Sequence, residues 1–262
     1  MDTASAQLNK EGDRFFKRGD YPDALACYQK ALELDRRIGN PRDLVVTLGN
    51  LGNIFANIGQ GEQALAYYRE VLEIQKRLGN ERGVGVTLVN MGNLRADVGD
   101  STLAEAYYLE ALDLLRPIGE DTAVAVLLSN LGLIYRGKGH YDQSLSFFYE
   151  ALTLMKRVED HQGVAGLYNS LGKTYMMIHR YPEAMSCCQT ALAMYERLED
   201  ERGMAAAWYH LAFIYEALGN LDQAVKIMEK VVSIDVKYGL PKKAENRQYL
   251  EQWREKMQGA GS

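Results

Sequence analysis

From Leu44 to Leu78 the chain reads LVVTLGNLGNIFANIGQGEQALAYYREVLEIQKRL. With Val45 as position 1, the apolar residues Leu48, Leu51, Phe55 and Ile58 fall at positions 4, 7, 11 and 14. That spacing lays them along one face of a helix. The turn Gly59-Gln60-Gly61-Glu62 ends it. A second helix follows, with Ala64, Tyr67, Tyr68, Val71, Leu72 and Ile74 on its apolar side. Lys76 and Arg77 suit the negative end of that helix's dipole, and Gly79 suits a left-handed cap. Asn80 is a good N-cap for the next helix. Asn40 with Pro41, Asp160 and Asp200 repeat the junction.

This hairpin recurs every 40 residues. Gly52 has counterparts at Gly12, Gly92, Gly132, Gly172 and Ala212. Ala64 has Ala24, Ala104, Ser144, Ala184 and Ala224. Tyr68 has Tyr28, Tyr108, Phe148, Cys188 and Met228. A fixed period of this length predicts a solenoid in which each unit contacts its neighbours. The expected organisation is six units over 1–238 (about 5–38, 39–78, 79–118, 119–158, 159–198 and 199–238), a capping helix over 239–258 and a tail over 259–262. Leu250, Trp253 and Met257 form the cap's apolar stripe. The recurring glycines are expected at helix crossings, and pairs such as Tyr67-Tyr68 and Tyr107-Tyr108 in the core. The third unit departs from the pattern: Arg95 replaces an aromatic at position 11, and Pro117 interrupts the end of its second helix. It is expected to be a soft joint.

Leu-Gly-x-x-Tyr/Phe, then Gly, Ala, an aromatic four residues on and Ala again resembles the tetratricopeptide repeat, and Trp208 at position 4 follows the same pattern. The likeness covers roughly residues 5 to 238. The familiar repeat has about 34 residues, so each unit here is longer. That longer form is similar to the Pins-type adaptors and the bacterial Rap-type regulators. The resemblance implies an all-α right-handed superhelix of helix-turn-helix repeats closed by a capping helix. It also implies a concave groove lined by the first helix of each unit.

Composition narrows function by exclusion. With 47% hydrophobic and 25% charged residues the chain reads as folded. A net charge of −5 speaks against a nucleic-acid partner. No apolar run is long enough to span a membrane, and the start Met-Asp-Thr-Ala-Ser lacks the pattern of a secretory signal. Cys27, Cys187 and Cys188 read as buried free thiols in a reducing cytoplasm. His140, His161, His179 and His210 show no metal-ligand spacing. No convergent titratable groups suggest catalysis, and no cofactor motif is present.

One row is not explained by packing. On the first helices, positions 2, 6, 9 and 13 lie opposite the core stripe, on the face that the resemblance assigns to the groove. They read Val46, Asn50, Asn53, Asn57; Val86, Asn90, Asn93, Asp97; Val126, Asn130, Leu133, Gly137; Gly166, Ser170, Lys173, Met177; and Ala206, His210, Phe213, Ala217. The early units form an amide ladder, the later ones an apolar and aromatic stretch beside Met176 and Tyr209. Asparagine is a poor helix-interior residue, and its amide offers the donor and acceptor that a peptide backbone needs. Bonds between neighbouring repeats or to water are the alternative use. Arg95, Arg136 and Lys173 are the nearest bases, placed to meet an acidic ligand side chain or to snorkel into solvent. Lysines for clamping a terminal carboxylate are absent from Asp13, Val86 and Asn90. The expectation is a cytoplasmic, non-enzymatic protein-interaction scaffold that binds an extended peptide of a partner. Its expected site residues are Asn50, Asn53, Asn57, Asn90, Asn93, Asn130, Lys173, Met177, His210 and Phe213. The alternative is a regulatory sensor that changes conformation when a signalling peptide binds.

Overall fold

The structure is a computed structural model that describes residues 4–259. The described residues form thirteen helices and no strand. The chain divides into two units, one ending at Ala123 and the other starting at Val124. The first holds α1 (Ala4–Lys17), α2 (Tyr21–Ile38), α3 (Pro41–Asn57), α4 (Gly61–Arg77), α5 (Glu81–Asp97) and α6 (Ser101–Leu115). The second holds nearly all of α7 (Asp121–Gly137), then α8 (Tyr141–Arg157), α9 (His161–Met177), α10 (Tyr181–Arg197), α11 (Glu201–Ala217), α12 (Leu221–Tyr238) and α13 (Lys243–Gly259). α13 includes Gly259, and residues 260–262 of the anticipated tail lie outside the described residues.

The first four hairpins are each locked by a ring over a glycine. A Cβ built on Gly52 would come within 2.4 Å of the Tyr68 ring, and Gly12 with Tyr28, Gly92 with Tyr108, and Gly132 with Phe148 repeat the contact at 2.5–2.6 Å. These are closer than any carbon side chain tolerates, so position 8 must be glycine wherever the partner is a large ring. Cys188 stands over Gly172, and buried Met228 faces Ala212 within one core cluster. The glycine and aromatic series therefore act as core, as expected. On α3, Ile54 is fully buried while Ile58 is 39% exposed. The stripe thus continues through position 10, and Ile58, placed in the core from sequence, is the residue after the helix.

The punctuation is regular to 20 residues. Glycines 19, 39, 59, 79, 99, 119, 139, 219 and 239 all have positive φ, and Glu159, His179 and Glu199 take the same left-handed conformation in the same series. The expected N-caps form: Asn40 accepts from the Arg42 amide, Asn80 from Gly83, Asp160 from Gly163 and Asp200 from Gly203. On the surface, Arg36–Glu70 and Lys76–Glu110 are the same inter-hairpin ion pair one repeat apart; exposed pairs of this kind contribute little.

The unusual third hairpin is visible. α6 has 15 residues where α4, α8 and α10 have 17. It stops at Leu115, ahead of Pro117, which has no amide proton to donate. Arg95 packs into the place of an aromatic, pairs with Glu62 at 3.3 Å and leaves its Nε buried without a hydrogen bond. Of the cysteines, only Cys188 is buried; Cys27 and Cys187 are half-covered. Burial pushes the Cys188 thiol up to about 12, which makes it unreactive.

Two measurements test this description. Amide exchange should be faster across residues 95–118 than across 45–75; equal protection would remove the soft joint. Glu199→Gly should raise stability by about 0.5–1 kcal/mol, because relief of a left-handed non-glycine residue outweighs the added unfolded-state entropy. A lower melting temperature would contradict that assignment.

Candidate functional site

In the first unit the solvent-facing row of α3 and α5 is where the sequence put it. Val46 and Val86 are exposed, Asn50 and Asn90 half-buried, and Asn53, Asn57 and Asn93 exposed. The asparagines do different jobs. Tyr68, the ring over Gly52, donates its hydroxyl proton to Asn53 Oδ1 at 2.8 Å, and Tyr108 donates likewise to Asn93 at 2.7 Å. In the first hairpin Tyr28 donates to Asp13 at 2.7 Å. Position 9 is thus the polar stop for the tyrosine hydroxyl, a role the sequence reading missed. Burial raises the Tyr68 phenol to about 12, consistent with a hydroxyl held as a donor. Asn57 donates to the Asn53 carbonyl within its own helix at 2.8 Å.

Position 6 is freer. Asn50 Nδ2 makes only long bonds, 3.3 Å to Asn9 Oδ1 and 3.4 Å to Asp13 Oδ1. These join the first two hairpins, as the alternative use anticipated. They border a buried chain in which Asn9 donates to Thr47 and Thr47 to Asp35, both at 2.6 Å. Asn50 and Asn53 line a cavity of about 150 Å³ with Asp13, Phe16, Lys17 and Tyr28. Asn90, half-buried, has no hydrogen-bond partner in the structure.

The second unit carries the remaining expected residues. Asn130 and Lys173 are half-buried and Met177 is exposed. His210 is buried on α11, where its Nδ1 meets Asn169 Oδ1 at 2.9 Å. Phe213 is half-covered, its ring 5.0 Å from Tyr249 and 5.2 Å from Trp253 of α13. It is therefore a wall shared with the last helix as much as a groove residue. Lys173, His210 and Phe213 line a cavity of about 570 Å³ with Met176 and Tyr209. Among the polar lining residues, sequence reasoning missed Arg202, Asp235, Lys242 and Asn246. Asn246 is 2% exposed and donates to the buried Asp235 carboxylate at 2.8 Å. The signal was there: Asp235 is Asp35 five periods on, and a buried aspartate needs a donor from the following helix, as Thr47 supplies for Asp35.

The lining mixes the cations Lys173, Arg202 and Lys242 with the buried Asp235 carboxylate, and Glu245 acts on Tyr209. Burial lowers the His210 pKa to about 3, reinforced by Lys173, Arg136 and Lys242. The ring is neutral, so with Nδ1–H donated to Asn169 its Nε2 is an acceptor. Burial also lowers Lys173, with Arg136 and Lys242 adding repulsion. Arg136 is lowered by burial, lies over the Phe148 ring and donates to the Ser170 carbonyl at 3.3 Å. Arg95, grouped with these bases in the sequence, belongs to the first unit and is already paired.

The tetratricopeptide-repeat profile matches residues 2–77, 83–157, 123–197 and 163–237. The chain belongs to the tetratricopeptide repeat family. Among solved structures it is similar to BtubC (BKLC) from P. vanneervenii, at 20% identity and a TM-score of 0.71, covering 91% of this chain and 94% of that one. It is also similar to a signal-transduction ATPase with numerous domains from Pyrococcus horikoshii, which carries a tetratricopeptide repeat sensor. That match has 18% identity and a TM-score of 0.82, over 95% of this chain and 38% of the other. A Rap protein complexed with competence and sporulation factor matches at 16% identity and a TM-score of 0.66, over 97% of this chain and 76% of that one. Likeness at such identities speaks to the fold. No curated protein matches the sequence.

The buried histidine makes pH a readout. An unfolded histidine titrates near 6.5 and folded His210 near 3. Between those values the unfolded chain holds the extra proton, so stability falls as pH drops. The His210 contribution should approach about 1.4 kcal/mol per pH unit below pH 6. His210→Gln should flatten the difference in unfolding free energy between pH 6 and pH 4; parallel pH profiles for the two proteins would refute a buried neutral ring.

Proposed function

We propose that this protein is a non-enzymatic interaction scaffold whose first helices bind an extended peptide segment of a partner protein. The family supports protein binding in general; the half-buried Asn50 and Asn90 amides, unspent or weakly spent within the fold, carry the finer reading. An amide pair at a fixed helical position offers both a donor and an acceptor to a strand-like backbone. We read the organisation as six repeats over residues 1–238 with α13 as the cap. We read the candidate residues as two separate stretches, an amide row in the first unit and, in the second, Asn130, Lys173, Met177, His210 and Phe213. The expected partner is a protein or peptide of the cytoplasm, neither nucleic acid nor membrane; among the described residues no helix is long and apolar enough to cross a bilayer. A peptide-sensing regulator is the second reading, favoured by the likeness to the Rap protein bound to its factor and to the sensor-bearing ATPase.

Side-chain deletions separate binding from folding. Asn50→Ala with Asn90→Ala should leave the melting temperature nearly unchanged, since alanine is the better helix former. A peptide selected from a library on the native protein should then lose about fivefold to a hundredfold in affinity, at roughly 0.5–1.5 kcal/mol per lost bond. Asn53→Ala should instead lower stability by about 1 kcal/mol by stranding the Tyr68 hydroxyl. If the double variant melts much lower, or binds the peptide as well as the native protein, the amide row is structural.

A further inference from the structure

We infer that the exposed face of α6, with the cavity beside it, is a separate docking surface whose occupant is a basic amphipathic helix of a partner protein. It lies apart from the Asn50 and Asn90 row and does not rest on the peptide reading. Leu103, Ala106, Glu110 and Asp113 follow one another by three or four residues and make one solvent-facing stripe, with Leu109 on its edge. Leu103 is 43% and Leu109 40% exposed. In α2, α4, α8, α10 and α12 the place of Leu103 is taken by Asp23, Gln63, Gln143, Glu183 and Gln223. The place of Leu109 is taken by Gln29, Arg69, Tyr149, Gln189 and Glu229. The hairpin therefore folds without leucine at either position. Two leucines where the repeat otherwise puts polar groups leave an apolar stripe with no cover.

Charge selects the occupant. α6 carries Glu105, Glu110 and Asp113 and no base, whereas α2, α4, α8, α10 and α12 each end in at least one. A cavity of about 300 Å³ opens along it, with Val84 and Leu114 as its apolar part and Glu81, Glu110, Asp113 and Lys76 around them. Lys76 stands 3.6 Å from Glu110. Glu81 and Asp113 have no hydrogen bond or ion pair among the described residues. The sixth hairpin holds the same place filled. Three periods on, Glu201, Met204, Lys230, Ser233 and Ile234 line the corresponding groove. There Glu201 accepts from the Lys237 ammonium and, at 3.0 Å, from the Tyr238 hydroxyl. The third hairpin has Pro117 and Ile118 at those two positions, which carry neither a cation nor a side-chain donor. Glu81 thus keeps its place on the lining while its counter-charge is gone. A lysine or arginine of a partner restores it, with the aliphatic stem along Val84 and Leu114 and the head group among Glu81, Glu110 and Asp113. Apolar side chains on the same face of that helix then cover Leu103 and Leu109. An acidic helix would be repelled at the same rim.

The probe is a displayed library of helices about 20 residues long, with Leu, Ile or Ala on one face and Lys, Glu or Gln at random beside it. It is selected on the full chain and counter-selected on Leu103→Gln with Leu109→Arg. That variant carries the residues that α4 has at the same places, Gln63 and Arg69, so it should melt with the native protein. The surviving helices should be rich in lysine beside the apolar face. Labelled with fluorescein and titrated by anisotropy, they should bind less tightly as salt rises. Glu81→Gln with Asp113→Asn should cost them about tenfold or more. Glu33→Gln with Glu73→Gln removes the same charge from the counterparts of Asp113 on α2 and α4, and should leave affinity unchanged. The inference is overturned if no helix survives counter-selection, or if the survivors are neutral or acidic. Equal binding of a scrambled peptide of the same charge, or equal loss in the Glu33 and Glu73 variant, reduces the effect to general charge attraction and overturns it too. Self-association of the native chain in sedimentation, abolished by Leu103→Gln, would assign the face to a second copy instead of a partner protein.

Discussion

An aromatic ring lying on a glycine is the contact on which every hairpin of the first unit depends. Tyr28, Tyr68 and Tyr108 each cover a residue with no side chain, closely enough that a single added methyl group has no room. Close approach buries the ring, burial obliges its hydroxyl to find an acceptor, and the acceptor is the residue after the glycine. Asp13, Asn53 and Asn93 are thereby drawn into the architecture. In the second unit Phe148 has no hydroxyl, and position 9 of its hairpin is Leu133, with no acceptor to offer. Where the ring becomes Cys188 or Met228, position 9 is Lys173 or Phe213. In the first unit the polar residue at position 9 is therefore tied to the tyrosine that fills the core beneath it.

That coupling explains what was and was not legible beforehand. Rows were legible because a 40-residue period superimposes six independent readings of one face, so the Gly52 and Tyr68 series, the caps and the stripe of α13 could be placed. Individual partners were not. Asn53 and Asn50 look alike in sequence, yet one meets a tyrosine of its own hairpin and the other reaches weakly to the hairpin before. Ile54 and Ile58 are both apolar, and only the end of α3 decides which is covered. Lys242 and Asn246 fall outside the repeat, in a segment whose charge suggested a solvated cap, so periodicity gave no register to judge them by. Arg95 was grouped with the groove bases because its pairing with Glu62 crosses between elements.

The two units offer different surfaces. The first presents a row of asparagine amides beside a cavity of about 150 Å³ that Asp13 and Lys17 also line. The second presents Lys173, Arg202 and Lys242 beside an apolar wall of Met176, Tyr209 and Phe213 around a cavity of about 570 Å³.

The left-handed turns recurring every 20 residues also set how the gene encoding this chain can change length. Loss of Asn40 through Gly79 joins Gly39 to Asn80, the same Gly-Asn junction that stood there before. Asp35, whose carboxylate now accepts from Thr47, meets Thr87 in its place, and Asn9 and Asp13 face Asn90 instead of Asn50. Within the first unit a whole hairpin is thus an interchangeable cassette. Deletion or duplication in steps of one period keeps every junction chemically intact, while any other step breaks a cap, a lock and a buried hydrogen bond together.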